Sequence, residues 1–407
     1  MRDIQCRLLS LIACLFVPYG ANAMEIDFEG SLVAEHRHFL HEGKSSQHEQ
    51  DFTSLSSTIE LGFYSLSGRH AVIVQPFARY DQHDHERTHA DLREAKYRYT
   101  NGGWEVTIGV DKVFWGVTEF LHLVDIINQT DNVESIDGEQ KLGQPMVRLS
   151  YSGYYGTFTA FSLPYFRIRR FPDSQTGRPN NGFVIDTATT LFEETGGHER
   201  VVDDYALRYS HNVGVIDFGL SWFDGTSRDP EIITTPTGVY NNQPVFRARY
   251  NLLQQAGLDV QATLSSWLLK LEATHSEIGD QTFGRATGGF EYSFYNLFNS
   301  GTDLGLVVEY LWDERGLQAP HPFADDLGVG LRWSVNDTQS TAILLGGLID
   351  TKTNTTALSL EAERRVGQNF KVILEARLQD KIGAKDLIFG PANRKEDMLR
   401  LQFAWYF

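Results

Sequence analysis

The chain has 407 residues, of which 41% are apolar, 12% aromatic and 22% charged, with 36 glycines, 12 prolines and two cysteines. That profile excludes a disordered tail, a collagen and a small disulfide scaffold. Acidic residues outnumber basic ones by 53 to 36, a net charge of -17, and the Lys and Arg residues are scattered, which excludes a phosphate-binding nucleic-acid surface.

In chain order, the first 23 residues read as a cleaved leader. Arg2 and Arg7 flank an apolar run from Leu8 to Val17, and Ala21-Asn22-Ala23 supplies a small-x-small cleavage pattern, so the mature chain begins at Met24. The run is too short for a membrane helix, which needs ~20 residues. Leu11-Ile12-Ala13-Cys14 resembles a lipoprotein signal, but Cys14 lies inside the apolar run. Both cysteines, Cys6 and Cys14, leave with the leader, which suits an exported chain and removes thiol chemistry from the mature protein. No Pro/Gly/Ser-rich linker divides the remainder, residues 24–407, so a single domain is expected.

From there the pattern is strict alternation in segments of about ten residues, the signature of a transmembrane β-barrel. It starts at Ile26, Phe28, Gly30 and Leu32, which leaves no room for an N-terminal plug. It recurs at Trp104, Val106, Ile108 and Val110, at Ala286, Gly288, Phe290, Tyr292 and Phe294, and at Phe370, Val372, Leu374, Ala376 and Leu378. The last segment places Leu399, Leu401, Phe403, Trp405 and Phe407 on one face and Arg400, Gln402, Ala404 and Tyr406 on the other. Tyr99, Trp104, Trp222, Trp267, Trp333 and Trp405 lie towards segment ends, where amphipathic rings fit the lipid boundary.

Turn chemistry separates membrane barrel from soluble sandwich. Short turns are expected at Leu66–Arg69, Asn101–Gly103, Gly153–Tyr155, His211–Gly214, Ser265–Ser266, Tyr295–Gly301, Asn336–Thr338 and Gly367–Asn369. Longer polar loops are expected at Phe114–Gly143, Arg167–Arg200, Gly225–Asn251 and Lys381–Glu396, all at the other end of the hairpins. The fold class expected is therefore all-β, an antiparallel up-and-down transmembrane barrel of about eighteen strands, with sixteen as the alternative.

The terminal Trp405-Tyr406-Phe407 resembles the aromatic signature read by the barrel assembly machinery in Gram-negative outer-membrane barrel proteins. Asp91-Leu92-Arg93-Glu94-Ala95, and Trp115-Gly116 followed by Asp125-Ile126-Ile127-Asn128, resemble porin-type and alginate-export-type members of that class. The resemblance implies a channel set in outer-membrane lipid and lipopolysaccharide, with small solutes as its cargo. An export barrel working with periplasmic partners is the alternative it also implies. Independently, barrels of ~16 to 18 strands leave an aqueous lumen unless something fills it.

The segment Phe114–Gly143 is the candidate constriction. It carries Glu119, Asp125, Asp131, Glu134, Asp137 and Glu139 together with Phe120, Leu121, Leu123, Val124, Ile126 and Ile127, too many apolar groups for a loop in water. It is expected to pack against the inner wall with its carboxylates facing the lumen. Parity puts Lys96, Arg98, Arg148 and Arg208 on the lumen face, where a basic row would set up a transverse field across from them. The alternative is that Glu94, Glu105, Asp111 and Asp204 pair with those bases. Arg332, Arg377 and Arg400 face inward with Asp259, Glu272, Glu291, Glu309, Glu361 and Glu363, which leaves ion selectivity open.

Two runs have metal-ligating chemistry, His36/His38/His41 and His83-Asp84-His85-Glu86 with His89. Both fall at strand ends or in loops and are read as solvated, so no metal or other cofactor is expected. The carboxylates from Asp131 to Glu139 lack EF-hand spacing for calcium. Ser and His residues such as His198 and His275 leave a rim-sited hydrolase as a remote alternative, without a nucleophile-elbow motif to support it.

Overall fold

The computed structural model describes residues 24–43, 48–135, 138–178, 183–241, 243–319, 324–381 and 396–407. The leader with Cys6 and Cys14, Asp137, and most of Lys381–Glu396 lie outside them.

The described residues form twenty-one strands: β1 Met24–Phe39, β2 Asp51–Ser65, β3 His70–Asp81, β4 His89–Asn101, β5 Trp104–Asp111, β6 Gln144–Gly153 and β7 Gly156–Tyr165. There follow β8 Val184–Phe192, β9 Val201–Val213, β10 Ile216–Thr226, β11 Glu231–Tyr240, β12 Gln243–Tyr250, β13 Leu252–Leu264 and β14 Trp267–Ile278. The last are β15 Gln281–Phe294, β16 Asp303–Asp313, β17 Asp325–Ser334, β18 Ala342–Asp350, β19 Thr356–Val366, β20 Phe370–Lys381 and β21 Met398–Tyr406. Eighteen of them make one sheet, which β1 closes by pairing antiparallel with both β2 and β21. The architecture is a closed 18-stranded antiparallel β-barrel whose sheet has no free edge.

Side-chain parity explains the closure. On β21, Leu399, Leu401, Phe403 and Trp405 are exposed on the outer surface, whereas Ala404 is buried and Arg400 and Gln402 face inward. The same division runs through β5, with Trp104 and Ile108 outside and Thr107 and Asp111 buried inside. A continuous belt of exposed Leu, Val, Ile, Phe and Trp is costly in water and is what a bilayer solvates. No helix among the described residues is long and apolar enough to cross a membrane; the crossing is made by strands.

All eight short turns stand where the spacing puts them, within two or three residues, and Met24 pairs with Ser65 at that same end. Gly68, Gly102 and Gly214 supply the positive φ that three of these turns require. Two of the long connections are not plain loops. β11 and β12 form a hairpin between β10 and β13, and β12 also pairs in parallel with β8, inserted between β7 and β9, giving a separate three-stranded sheet. A cluster of Phe166, Phe192, Val202 and Tyr250 ties it to the barrel end.

Candidate functional site

Segment 112–143 leaves β5 and returns to β6, and its apolar residues pack on inward side chains of the adjoining wall, β6, β7, β9, β10 and β13. Trp115, Val124, Ile126 and Ile127 bury themselves with Met146, Phe161, Leu163, Ala206, Phe223 and Leu253. The wall there is apolar on its inner face as well as its outer one, so the segment fills a surface that water would leave unsatisfied.

The tip, residues 117–124, is clasped by two inward glutamates. Glu272 of β14 accepts hydrogen bonds from the backbone N–H groups of Val117 (2.7 Å), Thr118 (3.1 Å) and Val124 (3.2 Å) and from the Thr118 hydroxyl (2.7 Å). Glu309 of β16 accepts from the N–H groups of Glu119 (2.9 Å) and Phe120 (3.1 Å). Both carboxylates are fully buried, so these bonds replace their hydration. The Phe120 ring lies against three inward glycines of β17 and β18: a Cβ would stand 2.5 Å from it at Gly328, 3.7 Å at Gly330 and 3.5 Å at Gly346. His122 sits between Glu139 (3.3 Å) and Glu272 (3.8 Å). Burial opposes its charge, yet hydrogen bonds and attraction from those carboxylates hold its pKa up at about 9.

The far lobe, residues 131–135, is held by arginines. Glu134 takes a bidentate pair from Arg79 of β3 at 2.8 to 3.1 Å, and Arg79 also reaches Ser54. Arg87 donates to the Val133 carbonyl (2.7 Å) and to Glu35 (2.6 Å) and Asp81 (2.9 Å), which also contact Arg37. Burial pushes the Glu134 carboxyl up, but the Arg79 charge outweighs it and holds the group below its usual range. Arg93 pairs with Asp131 at 2.8 Å. Parity along β4 would point Arg93 away from Glu94 and Lys96. A β-bulge opposite Gln75-Pro76, where proline has no N–H to give the ladder, turns it in with them.

The six loop carboxylates therefore do not make an open acidic lip. Asp125, Asp131 and Glu134 are buried, Asp125 beside Lys141 (3.2 Å) with its carboxyl raised by burial. Glu119 is bonded to Arg332 (2.7 Å), and Glu139 is exposed beside His122. Asp137 is outside the described residues. The wall bases face inward, but the basic row is neutralised at three of its four positions. Lys96 pairs with Glu94 and Asp111, Arg148 with Glu105 and Asp111 (both 3.1 Å), and Arg208 bidentately with Asp259 (2.8 and 2.9 Å). Arg98 shares its face with Ala71 and Thr107 across the register.

The remaining candidates fall elsewhere. Trp405 and Phe407 are exposed on the outer surface, their rings 4.8 Å apart, and the Phe407 backbone pairs with Gly30. His36 and His38 lie at the end of β1, face outward and share Asp51 at 3.2 and 2.8 Å. Asp84 accepts hydrogen bonds at Oδ1 from the N–H groups of Glu86, Arg87 and Asp173. His198 is bonded to the Thr190 carbonyl, while His275 faces outward and its neighbour Ser276 inward. Sequence reasoning missed Arg79, Arg87 and Arg93 as anchors, the clasping role of Glu272 and Glu309, and the glycine socket. The available signals were the glycines in Leu327-Gly328-Val329-Gly330 and the apolar inner parity of Phe161 and Leu163.

No family model matches this chain, and no curated protein matches it. Among solved structures it is similar to engineered variants of the Rhodopseudomonas blastica porin, for example at 12% identity and a TM-score of 0.43, covering 94% of this chain and 100% of that one. A structure described by the asymmetric conductivity of engineered proteins gives 13% and 0.43 with the same coverage. The architecture of this chain rests on its own closed strand register rather than on that likeness.

Proposed function

We propose that the protein is a porin-like channel of the bacterial outer membrane through which small polar solutes diffuse, and that segment 112–143 is its constriction. The observation that carries this reading is the path of the segment. It touches inward residues of β3 and β4 at one lobe and of β14, β16, β17 and β18 at the other, so it crosses the bore and leaves only part of it open. Away from those contacts inward charges remain in water, as at Glu361 and Glu363, whose side chains are 48 and 43% exposed. The reaction is passage and no bond is broken. Barrel assembly machinery reading Trp405-Tyr406-Phe407, and lipid with lipopolysaccharide around the belt, belong to the same proposal.

The test is single-channel recording of the refolded protein in a planar bilayer under a salt gradient. Discrete, stable steps with a conductance below that of an unobstructed barrel of this size are expected. Silence from a correctly folded barrel contradicts the reading.

A further inference from the structure

The inner wall below the clasped tip carries four acids and five bases, and Glu119 of the tip supplies a fifth acid; each is in contact with the opposite sign. Arg332 bonds Glu119 at 2.7 Å and lies 3.8 Å from Glu291, and Lys270 lies 3.7 and 3.9 Å from the same two carboxylates. On the neighbouring wall Arg377 bridges Glu361 (3.2 Å) and Glu375, Arg400 joins Glu375, and Lys371 bonds Glu363 at 2.7 Å. Several of these pairs are open to the lumen: the side chains of Glu361, Glu363 and Arg332 are 48, 43 and 40% exposed, and that of Lys371 25%. The pairs form two groups, one on β14, β15 and β17 with Glu119 and one on β19, β20 and β21, and with five acids against five bases they offer dipoles and no net charge.

From this arrangement we propose that the channel takes small zwitterionic solutes, carrying an ammonium and a carboxylate a few ångströms apart, in preference to ions of either sign. The inference rests on the channel reading above. A simple cation or anion is attracted by one member of each pair and repelled by its partner, so it gains little. A zwitterion aligns its two charges against a pair and makes a charge-assisted hydrogen bond to each member, while each wall charge keeps its partner. Glu361 and Lys371 lie along one wall, so the next pair is within reach as the first is released. That is the condition for binding that admits a solute and still lets it leave.

Liposome swelling tests this with glycine, its neutral isostere glycolamide, sodium acetate and methylammonium chloride, at low ionic strength where screening is weak. Glycine is expected to enter severalfold faster than glycolamide, acetate and methylammonium. In the double variant Glu361→Gln, Glu363→Gln, in which Lys371 loses Glu363 and Arg377 keeps only Glu375, that advantage is expected to vanish while acetate entry rises. Equal rates for glycine and glycolamide, or a double variant that keeps the preference, overturn the inference with the channel reading intact. Exclusion of all four solutes overturns the channel reading itself.

Discussion

Glu134 shows what a loop carboxylate does here. Its two oxygens are taken by Arg79, which is also buried, so removing it leaves a guanidinium in a dry site with only Glu35, 3.6 Å away, as its remaining acid. Breaking such a pair costs ~3–5 kcal/mol. Glu134→Ala is expected to lower the urea midpoint and open the far lobe to protease, both readable on the refolded protein. Because Asp125, Asp131 and Glu134 are paired and buried, neutralising them should leave the reversal potential unmoved; a shift towards anions would show that they face the lumen after all. His122 adds a pH dependence. Its pKa is raised to about 9 from an ordinary 6.5, so the stabilisation it gives the tip is complete below about 6.5 and is lost as pH rises through 9. Amide exchange at residues 117–124 should accelerate across that window, and His122→Gln should remove the dependence.

At the scale of elements, the glycine socket makes a sharper statement. Gly328 lies so close under Phe120 that any Cβ must move the ring. Gly328→Val should therefore displace the tip and raise conductance with the barrel intact, at a cost of ~1–3 kcal/mol for overpacking; unchanged conductance would mean the tip does not bound the open path. The same elements show what could be read from sequence and what could not. Alternation fixes inward and outward faces because the strand period is two and one face meets lipid, so Lys96, Arg148, Arg208 and Arg332 were legible as lumen residues. Their partners were not, because Asp259 lies 51 positions from Arg208, and Glu134 55 from Arg79, brought close by barrel stagger and loop path. Arg93 was not legible as an inward residue for a local reason, the bulge opposite Gln75-Pro76, which breaks the parity along β4. β8, β11 and β12 escaped because their stabilising partners are each other, across loops that sequence order keeps apart.

For the whole molecule, a closed barrel needs no lumen contents to satisfy its backbone, so strand closure and lumen filling are separable. The wall is built of paired neighbouring strands, and segment 112–143 adds a cross-piece held at the Glu272/Glu309 clasp and the Arg79/Arg87/Arg93 anchors. The barrel should accordingly survive loss of the tip. The most direct measurement is the single-channel conductance of the refolded protein against that of a variant in which residues 117–123 are replaced by a short Gly-Ser linker. A constriction crossing the bore predicts a conductance increase of severalfold in the trimmed barrel; equal conductance from two equally folded proteins would contradict it.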